Sequence, residues 1–113
     1  MYKLYHNKNC SKSRKCLFIL NENNITFELI EYMKNCLTTK DLKHILKYLA
    51  DKQHELIRVK NKQYKENPFD ITNENQIINF LKKHPSCMQR PIFFDEKNYH
   101  ICRPPEKVLM IIQ

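Results

Sequence analysis

The sequence predicts an α/β fold with the element order β-α-β, then a helical segment, then β-β-α. Three changes of hydrophobic period carry this prediction. Residues 2–32 pass from a strand pattern to a helical one and back, residues 38–84 show only helical patterns, and residues 92–112 hold two short strands and a last helix. A chain of 113 residues is long enough for one core and one site, so we expect a single domain over residues 1–113.

The N-terminal third predicts a strand, a helix and a second strand. YKLYH, residues 2–6, is the first strand, and a helix follows from Ser11 to a stop at Asn23-Asn24. TFELIEY, residues 26–32, is rich in aromatic and β-branched residues and predicts a second strand. A helical crossover between them makes these two strands parallel.

The central segment begins with a capping box, in which Thr38 and Asp41 stand three residues apart. An apolar helical face follows it: Leu42, Ile45, Leu46 and Leu49. QHELI, residues 53–57, indicates one more helical turn, and NKQYKENPFD, residues 61–70, is expected to be an exposed loop.

Another helix is predicted from Asn73, which has Gln76 three residues later, to the region of Pro85. Its apolar face comprises Ile77, Ile78 and Leu81. The runs 92–94 and 99–102, separated by DEKN, predict an antiparallel hairpin. Pro104-Pro105-Glu106 then begins a last helix, with an apolar face expected at Val108, Leu109 and Ile112.

The composition of the chain limits the functions and partners that we expect for it. The chain has no apolar run of membrane-spanning length and no cleavable signal pattern, so we expect no membrane association and a cytosolic location. The net charge of +8 favours an anionic partner, either nucleic acid, an acidic protein or a small oxyanion. Nucleic acid is the least favoured of the three, because no aromatic-basic recognition motif accompanies the charge.

The chain contains no glycine, which excludes glycine-rich phosphate loops of the dinucleotide and Walker types. Backbone positions that need a positive φ angle must then be filled by other residues, and asparagine is the usual substitute. We expect these positions at the turn residues Asn23-Asn24, Asn61 and Asn98.

Five cysteines without a CxxC pair predict reduced thiols rather than a disulfide framework, and no structural metal site. Cys16 lies on an apolar helix face and Cys102 ends a strand, so both are expected in the core. Cys36 and Cys87 are expected in polar loops.

Cys10 has a different setting, at the start of the first helix. The free backbone N–H groups there stabilise a thiolate and lower the thiol pKa. The surrounding loop supplies cations and hydrogen-bond donors: Lys8, Lys12, Arg14, Ser11, Ser13 and, if protonated, His6. The sequence therefore makes Cys10 a candidate reactive thiol, and an ordinary surface thiol is the alternative.

Arginine is rare, since sixteen of the twenty basic residues are lysine. A guanidinium holds an oxyanion through two parallel hydrogen bonds, which an ammonium cannot do. Arg90-Pro91 opens the predicted hairpin and Arg103-Pro104 closes it. If the first strand joins that sheet, Cys10 and both arginines face one pocket, which Arg58 could cover. Scattered surface arginines are the alternative.

The spacing between cysteine and arginine excludes one known mechanism. Cys87 and Arg90 form C-x-x-R and Cys10 and Arg14 form C-x-x-x-R, whereas tyrosine-phosphatase-like enzymes require C-x5-R.

The Arg90-Pro91 bond is a candidate cis peptide.

The segments HNKNCSKSR, LIRVKN, HPSCMQRPIFF and HICRPPEKV, in this order and spacing, resemble the glutaredoxin-dependent arsenate reductase family. The resemblance spans essentially the whole chain. It implies a thioredoxin-like domain with a mixed four-stranded sheet and an inserted helical part at about residues 38–84.

The resemblance also implies a site. Cys10 would attack arsenate as a thiolate favoured by His6 and the helix start, and the oxyanion would be held by Arg58, Arg90 and Arg103. The further candidates for substrate contacts are Asn7, Ser11, Ser13, Arg14 and Pro91, the last as the family's cis proline. Glutathione would be the co-substrate and glutaredoxin the reductant, with no bound cofactor and no metal.

The sequence departs from the family pattern at Lys8-Asn9, where the common loop has proline followed by a variable residue, and in its lack of turn glycines. A second functional class also remains open. Spx-type regulators share the fold, bind RNA polymerase and usually carry a CxxC switch. In this chain the second cysteine of that switch is replaced by Ser13.

Overall fold

Four strands form one mixed sheet in the order β2-β1-β3-β4 in the computed structural model, which describes all 113 residues. The strands are β1 (Tyr2–Tyr5), β2 (Phe27–Ile30), β3 (Ile92–Phe94) and β4 (Tyr99–Ile101). β1 pairs in parallel with β2 and antiparallel with β3, which pairs antiparallel with β4. The predicted crossover and hairpin are confirmed, and so is the thioredoxin-like arrangement that the resemblance implies.

Five α-helices complete the fold: α1 (Ser11–Glu22), α2 (Thr39–Lys47), α3 (Lys62–Glu66), α4 (Glu74–Lys83) and α5 (Val108–Ile111). Short 3₁₀ turns lie at Gln53–Leu56, Pro85–Cys87 and Pro105–Lys107. The regular elements between β2 and β3 are therefore all helical, and turns and loops connect them. None of the helices combines the length and the apolar character needed to cross a bilayer.

The sheet has a packed core on each face, because successive side chains of a strand point to opposite faces. Leu4 of β1 and Phe93 of β3 pack against α1 and α5, in a cluster that includes Val108. Tyr5 and Ile92, their neighbours along the same two strands, belong to a larger cluster with α2 and α4. The sheet is thus enclosed between two helical layers.

Side-chain caps fix the beginnings of the central helices as predicted. The Thr38 hydroxyl accepts from the Asp41 backbone N–H at 3.1 Å, and the Asp41 carboxylate accepts from the Thr38 N–H at 2.9 Å. At α4, the Asn73 side chain accepts from the backbone N–H of Gln76 at 3.1 Å. Each cap satisfies N–H groups that have no partner within the helix.

The prediction of an exposed loop at residues 61–70 is wrong for residues 62–66, which form α3, although no residue of the segment is fully buried. The Asn61 side chain caps α3 by accepting from the Gln63 N–H at 2.8 Å. The ring of Tyr64 packs edge-on against Phe69 with 5.3 Å between centroids, and its hydroxyl donates to the Phe69 carbonyl at 3.1 Å. Two aromatic side chains in a polar segment hold it against the core.

Two expectations about side-chain burial are also corrected. Leu109 is exposed, and the apolar face of α5 consists of Val108 with Ile111 and Ile112. Cys87 is fully buried at the end of a 3₁₀ turn. Cys16 and Cys102 are buried, as predicted, and Cys36 is exposed.

Positive φ angles occur at Asn24, as expected, and at Glu96. Asn61 and Asn98 do not have them, so that part of the expectation is wrong. Asn61 is instead the N-cap of α3, with φ −68°. For Asn98 the reason lies in the DEKN turn, where Asp95 Oδ1 accepts from the N–H groups of Lys97 at 2.9 Å and Asn98 at 2.6 Å. This side-chain turn leaves Glu96 as the residue with the left-handed backbone.

Candidate active site

Cys10 is the N-cap of α1, with φ −107° and ψ 121°. Its carbonyl accepts the first helical hydrogen bond from the Arg14 N–H at 3.0 Å, and its own N–H donates to the Asn7 carbonyl at 3.0 Å. The side chain is partly exposed. The sulfur therefore lies beside the free N–H groups of the first helical turn, as the sequence predicts.

The pKa of Cys10 reflects opposing effects. Partial burial raises it, but the nearby Arg90 side chain and the backbone N–H groups of Ser13 and Lys12 lower it by more, to about 7. These donors favour the charged form of the thiol. At neutral pH roughly half of the molecules then carry a thiolate.

His6, Ser13 and Asn7 form a buried network beneath the cysteine loop. His6 Nδ1 and Ser13 Oγ lie 2.6 Å apart, and Ser13 Oγ accepts from the Asn7 backbone N–H at 3.0 Å. All three residues are buried. The Ser13 hydroxyl is therefore occupied inside the protein, and the expectation that it donates to the sulfur or to an anion is corrected. The contribution of Ser13 to the lowered pKa of Cys10 comes from its backbone N–H.

The sequence analysis gave His6 a role beside the sulfur only if its ring is protonated, and the buried setting disfavours that form. Burial lowers the pKa of His6 below its ordinary value, Glu31 opposes this shift and Arg14 adds to it. The imidazole is thus neutral at neutral pH. Its contact is with Ser13 rather than with the sulfur of Cys10.

Two further bonds hold the loop that precedes Cys10. Asn7 Oδ1 accepts from the Asn9 N–H at 3.0 Å, and Arg14 Nη1 donates to the Lys8 carbonyl at 2.8 Å. Arg14 is exposed and directed back along the loop. This hydrogen bond from Arg14 restrains the Lys8-Asn9 segment, which has no proline to stiffen it. Ser11, the first residue of α1, is exposed.

Arg90 connects the hairpin to Cys10. Its Nη1 donates to the Ser86 carbonyl at 2.7 Å, and its guanidinium lies close enough to the sulfur of Cys10 to lower the pKa of that thiol. The buried Nε has no partner within the protein. The following Arg90-Pro91 bond is cis, as predicted, and Pro91 is buried. The Arg103-Pro104 bond is cis as well, which we did not predict.

Arg58 and Arg103 complete a cluster of three guanidiniums. Burial lowers the pKa of Arg58, the charges of Arg90 and Arg103 lower it further, and the nearby Cys10 thiolate raises it. The geometry agrees with these effects, since Arg58 and Arg103 line one cavity and Arg103 is hydrogen-bonded to the backbone of Arg90. The backbone of Arg58 is held there by its N–H bond to the Cys87 carbonyl at 2.8 Å.

No cluster of three or more His, Cys, Asp or Glu side chains is arranged to hold a metal ion. The reactive features of the site are thus a thiol of lowered pKa, three guanidiniums and backbone N–H groups. This combination stabilises negative charge on a sulfur and on an oxyanion beside it.

A family model described as the ArsC family matches residues 5–111. The chain belongs to the ArsC family. This ArsC family chain is 38% identical over 113 residues to the protein YfgD of Escherichia coli K12, with 97% of the chain and 95% of the relative covered. It is 30% identical to the arsenate reductase of Neisseria meningitidis serogroup A, with 97% of both covered.

Solved structures show the same relationship. An arsenate reductase from Vibrio cholerae superposes with a TM-score of 0.86 at 28% identity, covering 97% of this chain and 96% of that protein. The global transcriptional regulator Spx of Streptococcus mutans is also related, at 27% identity over 89% of this chain and 75% of the regulator. Relatives of this ArsC family chain therefore include both named enzymes and a named regulator.

Tyr32 also lies near Cys10 and Arg90, although the sequence analysis did not single it out. It is 1% exposed, and its hydroxyl lies beside the Asn7 side chain without a well-formed hydrogen bond. Burial raises the pKa of Tyr32, and Arg90 and Asn7 lower it in part. The sequence marked Tyr32 only as the end of a strand pattern, because its proximity to Arg90 depends on tertiary packing.

Proposed function

We propose that this protein is a thiol-dependent reductase that converts arsenate to arsenite through Cys10. One observation carries the proposal: the Cys10 thiol, with its pKa lowered to about 7, lies beside the Arg90 guanidinium and within the electrostatic range of Arg58. A tetrahedral oxyanion would offset the repulsion among the three guanidiniums, including Arg103. The relatives named arsenate reductase support arsenate as that oxyanion.

In the first step the Cys10 thiolate attacks arsenic. A sulfur–arsenic bond forms, one arsenic–oxygen bond breaks, and that oxygen leaves as water after taking up protons. Arsenic remains pentavalent. The arginine cluster stabilises the negative charge on the remaining oxygens, and the α1 N–H groups favour the attacking anion.

The second step adds glutathione, whose sulfur bonds to arsenic while a second oxygen leaves as water. A glutaredoxin thiolate then attacks the glutathione sulfur. A disulfide forms between glutathione and glutaredoxin, and the electron pair of the broken sulfur–arsenic bond reduces arsenic to the trivalent state. Water releases arsenite and returns Cys10 as a thiol. The scheme needs no second protein cysteine, consistent with the missing CxxC pair.

The test is a coupled assay with glutathione, glutaredoxin, glutathione reductase and NADPH. NADPH consumption should depend on arsenate in the unaltered protein and vanish in Cys10→Ser. Cys36→Ser, which removes an exposed thiol away from α1, is the matched control and should retain activity. Equal NADPH consumption with and without arsenate would refute the proposal.

The related Spx protein supports a second candidate, a regulatory binding module without turnover. Against it, Ser13 stands where the switch cysteine of such proteins is expected, and its hydroxyl is bound to the backbone of Asn7. Co-purification with RNA polymerase and no arsenate-dependent turnover would favour the regulator. Turnover without co-purification would favour the reductase.

A further inference from the structure

An open cavity of about 370 Å³ is lined by residues of β1, α2 and the β3–β4 hairpin. Its lining combines four lysines with three aromatic side chains. It shares no lining residue with the cavity that Arg58 and Arg103 line, or with the cavity beside the loop that precedes Cys10. The proposed reduction of arsenate therefore gives this cavity no role.

Three of the four lysines form a stripe along α2. Lys40, Lys43 and Lys47 are exposed, and their spacing of three and four residues places them on one face of the helix. Neither they nor Lys3, the fourth lysine, form an ion pair with an acidic side chain. Like charges at this spacing destabilise a helix, so the stripe does not serve the stability of α2.

Asp41 is the one acidic residue of the lining, and the fold already uses it. Its carboxylate accepts from the Thr38 backbone N–H at 2.9 Å in the capping box of α2. Four lysines against one aspartate leave three positive charges at the cavity, with His44 not counted. A ligand that carries several negative charges would relieve the repulsion among these lysines.

The aromatic part of the cavity adds an apolar surface beside these cations. The rings of Phe94 and Tyr99 have their centroids 4.5 Å apart, and the Lys3 ammonium lies 5.9 Å from the centroid of the partly exposed Phe94. The Tyr99 hydroxyl lies 2.7 Å from Nδ1 of His44, which leaves Nε2 of this exposed imidazole for a ligand. An apolar surface with polar groups at fixed points is the usual construction of a small-molecule site.

We propose that this cavity binds a free nucleotide, with its phosphates along the α2 lysines and its base at Phe94. The helical rise of about 1.5 Å per residue separates Lys40 from Lys47 by about 10 Å along α2, so more than one phosphate can meet an ammonium. A cavity of a few hundred Å³ suits a ligand of this size. The sequence shows no contiguous aromatic-basic motif, because the ring and the lysines come from segments that are distant along the chain.

The experiment titrates ATP into the isotopically labelled protein without Mg²⁺, which would neutralise the phosphates. Backbone amide resonances at residues 39–47 and 94–99 should shift in a saturable manner. ATP should bind about fivefold or more tightly than inorganic triphosphate, which lacks the ring, and than adenosine, which lacks the charge.

Lys43→Glu should weaken ATP binding about fivefold or more, because it places a like charge against the phosphates. The substitution puts a carboxylate four residues before Lys47, a spacing that is compatible with the helix. Lys83→Glu, the same charge change at the exposed end of α4, is the matched control and should leave binding unchanged.

Three results would overturn the proposal: no saturable shifts up to about 10 mM ATP, inorganic triphosphate that binds as tightly as ATP, or equal ATP binding by Lys43→Glu and Lys83→Glu. A single-stranded DNA of about ten nucleotides is the last probe. If it binds more tightly than ATP, the assignment to a free nucleotide is wrong. None of these measurements involves Cys10 or arsenate, so they leave the proposed reductase activity untouched.

Discussion

Nη1 of Arg103 donates a 2.8 Å hydrogen bond to the backbone carbonyl oxygen of Arg90. The two arginines that flank the β3–β4 hairpin are therefore mechanically connected. Arg90 in turn donates to the Ser86 carbonyl, and its guanidinium lies beside Cys10, where it lowers the pKa of the thiol. Arg103 thus fixes the backbone of Arg90, and the Ser86 carbonyl fixes the side chain of Arg90 near Cys10.

Arg103→Lys should lower kcat/KM for arsenate by about 100-fold, the usual cost of losing one preorganised donor to an oxyanion. The lysine keeps the charge but loses the fork and the bond to the Arg90 carbonyl. Steady-state kinetics measures the effect, and thermal unfolding checks that the variant is folded. The reverse exchange, Lys83→Arg at the exposed end of α4, should change kcat/KM less than about twofold. Near-normal turnover of Arg103→Lys would show that charge alone suffices.

The reactivity of Cys10 should follow a titration with a midpoint at about pH 7. Since the thiolate is the reacting form, alkylation by iodoacetamide accelerates as the pH rises through this midpoint and slows below it. Arg90→Lys removes part of the stabilisation of the anion and should move the midpoint upward. Mass spectrometry of the labelled peptide follows the rate, and the signal should vanish in Cys10→Ser. A midpoint near 8.5, the value of a free thiol, would contradict the assigned environment.

Ser13→Ala should lower the free energy of unfolding by about 1–3 kcal/mol, because it leaves the Asn7 N–H and the His6 ring nitrogen without their buried partner. Urea denaturation measures the loss. Ser11→Ala, two residues earlier and exposed on the same helix, is the control and should cost less than about 0.5 kcal/mol. Equal effects of the two substitutions would mean that the network beneath the loop contributes little.

Much of the fold could be predicted because its signals are local. The Thr38 capping box and the Asn73 cap depend on residues three positions apart, and both appear as predicted. The position of Cys10 at a helix start follows in the same way. The segment 61–70 was mispredicted because its structure depends on two aromatic side chains that pack together, while its composition is that of a loop.

Part of the site could be predicted because two of its arginines lie next to the ends of predicted strands. Arg90 and Arg103 could be placed at one sheet because they flank a hairpin, and rare arginines stand out in a lysine-rich chain. The state of His6 could not be predicted, since it follows from burial and from the bond to Ser13. The same holds for Tyr32, which reaches the site from beyond the end of β2.

Tyr32 and Tyr99 offer a direct comparison of two buried phenols, 1% and 4% exposed respectively. The Tyr99 hydroxyl lies 2.7 Å from His44 Nδ1, whereas the Tyr32 hydroxyl has no well-formed partner. Tyr99→Phe should therefore lower the free energy of unfolding by about 1 kcal/mol. Tyr32→Phe should leave it unchanged or raise it slightly, because it removes a polar group that is buried without a hydrogen bond.

Urea denaturation of both variants under identical conditions measures the difference. Because both substitutions remove one oxygen and keep the ring, cavity effects are small and the hydrogen bond decides the outcome. A loss of more than about 1 kcal/mol in Tyr32→Phe would mean that the hydroxyl is bonded in solution, with the neighbouring Asn7 side chain as the available partner. In that case Tyr32 belongs to the network that holds the loop before Cys10, and Tyr32→Phe should weaken that loop as Ser13→Ala does.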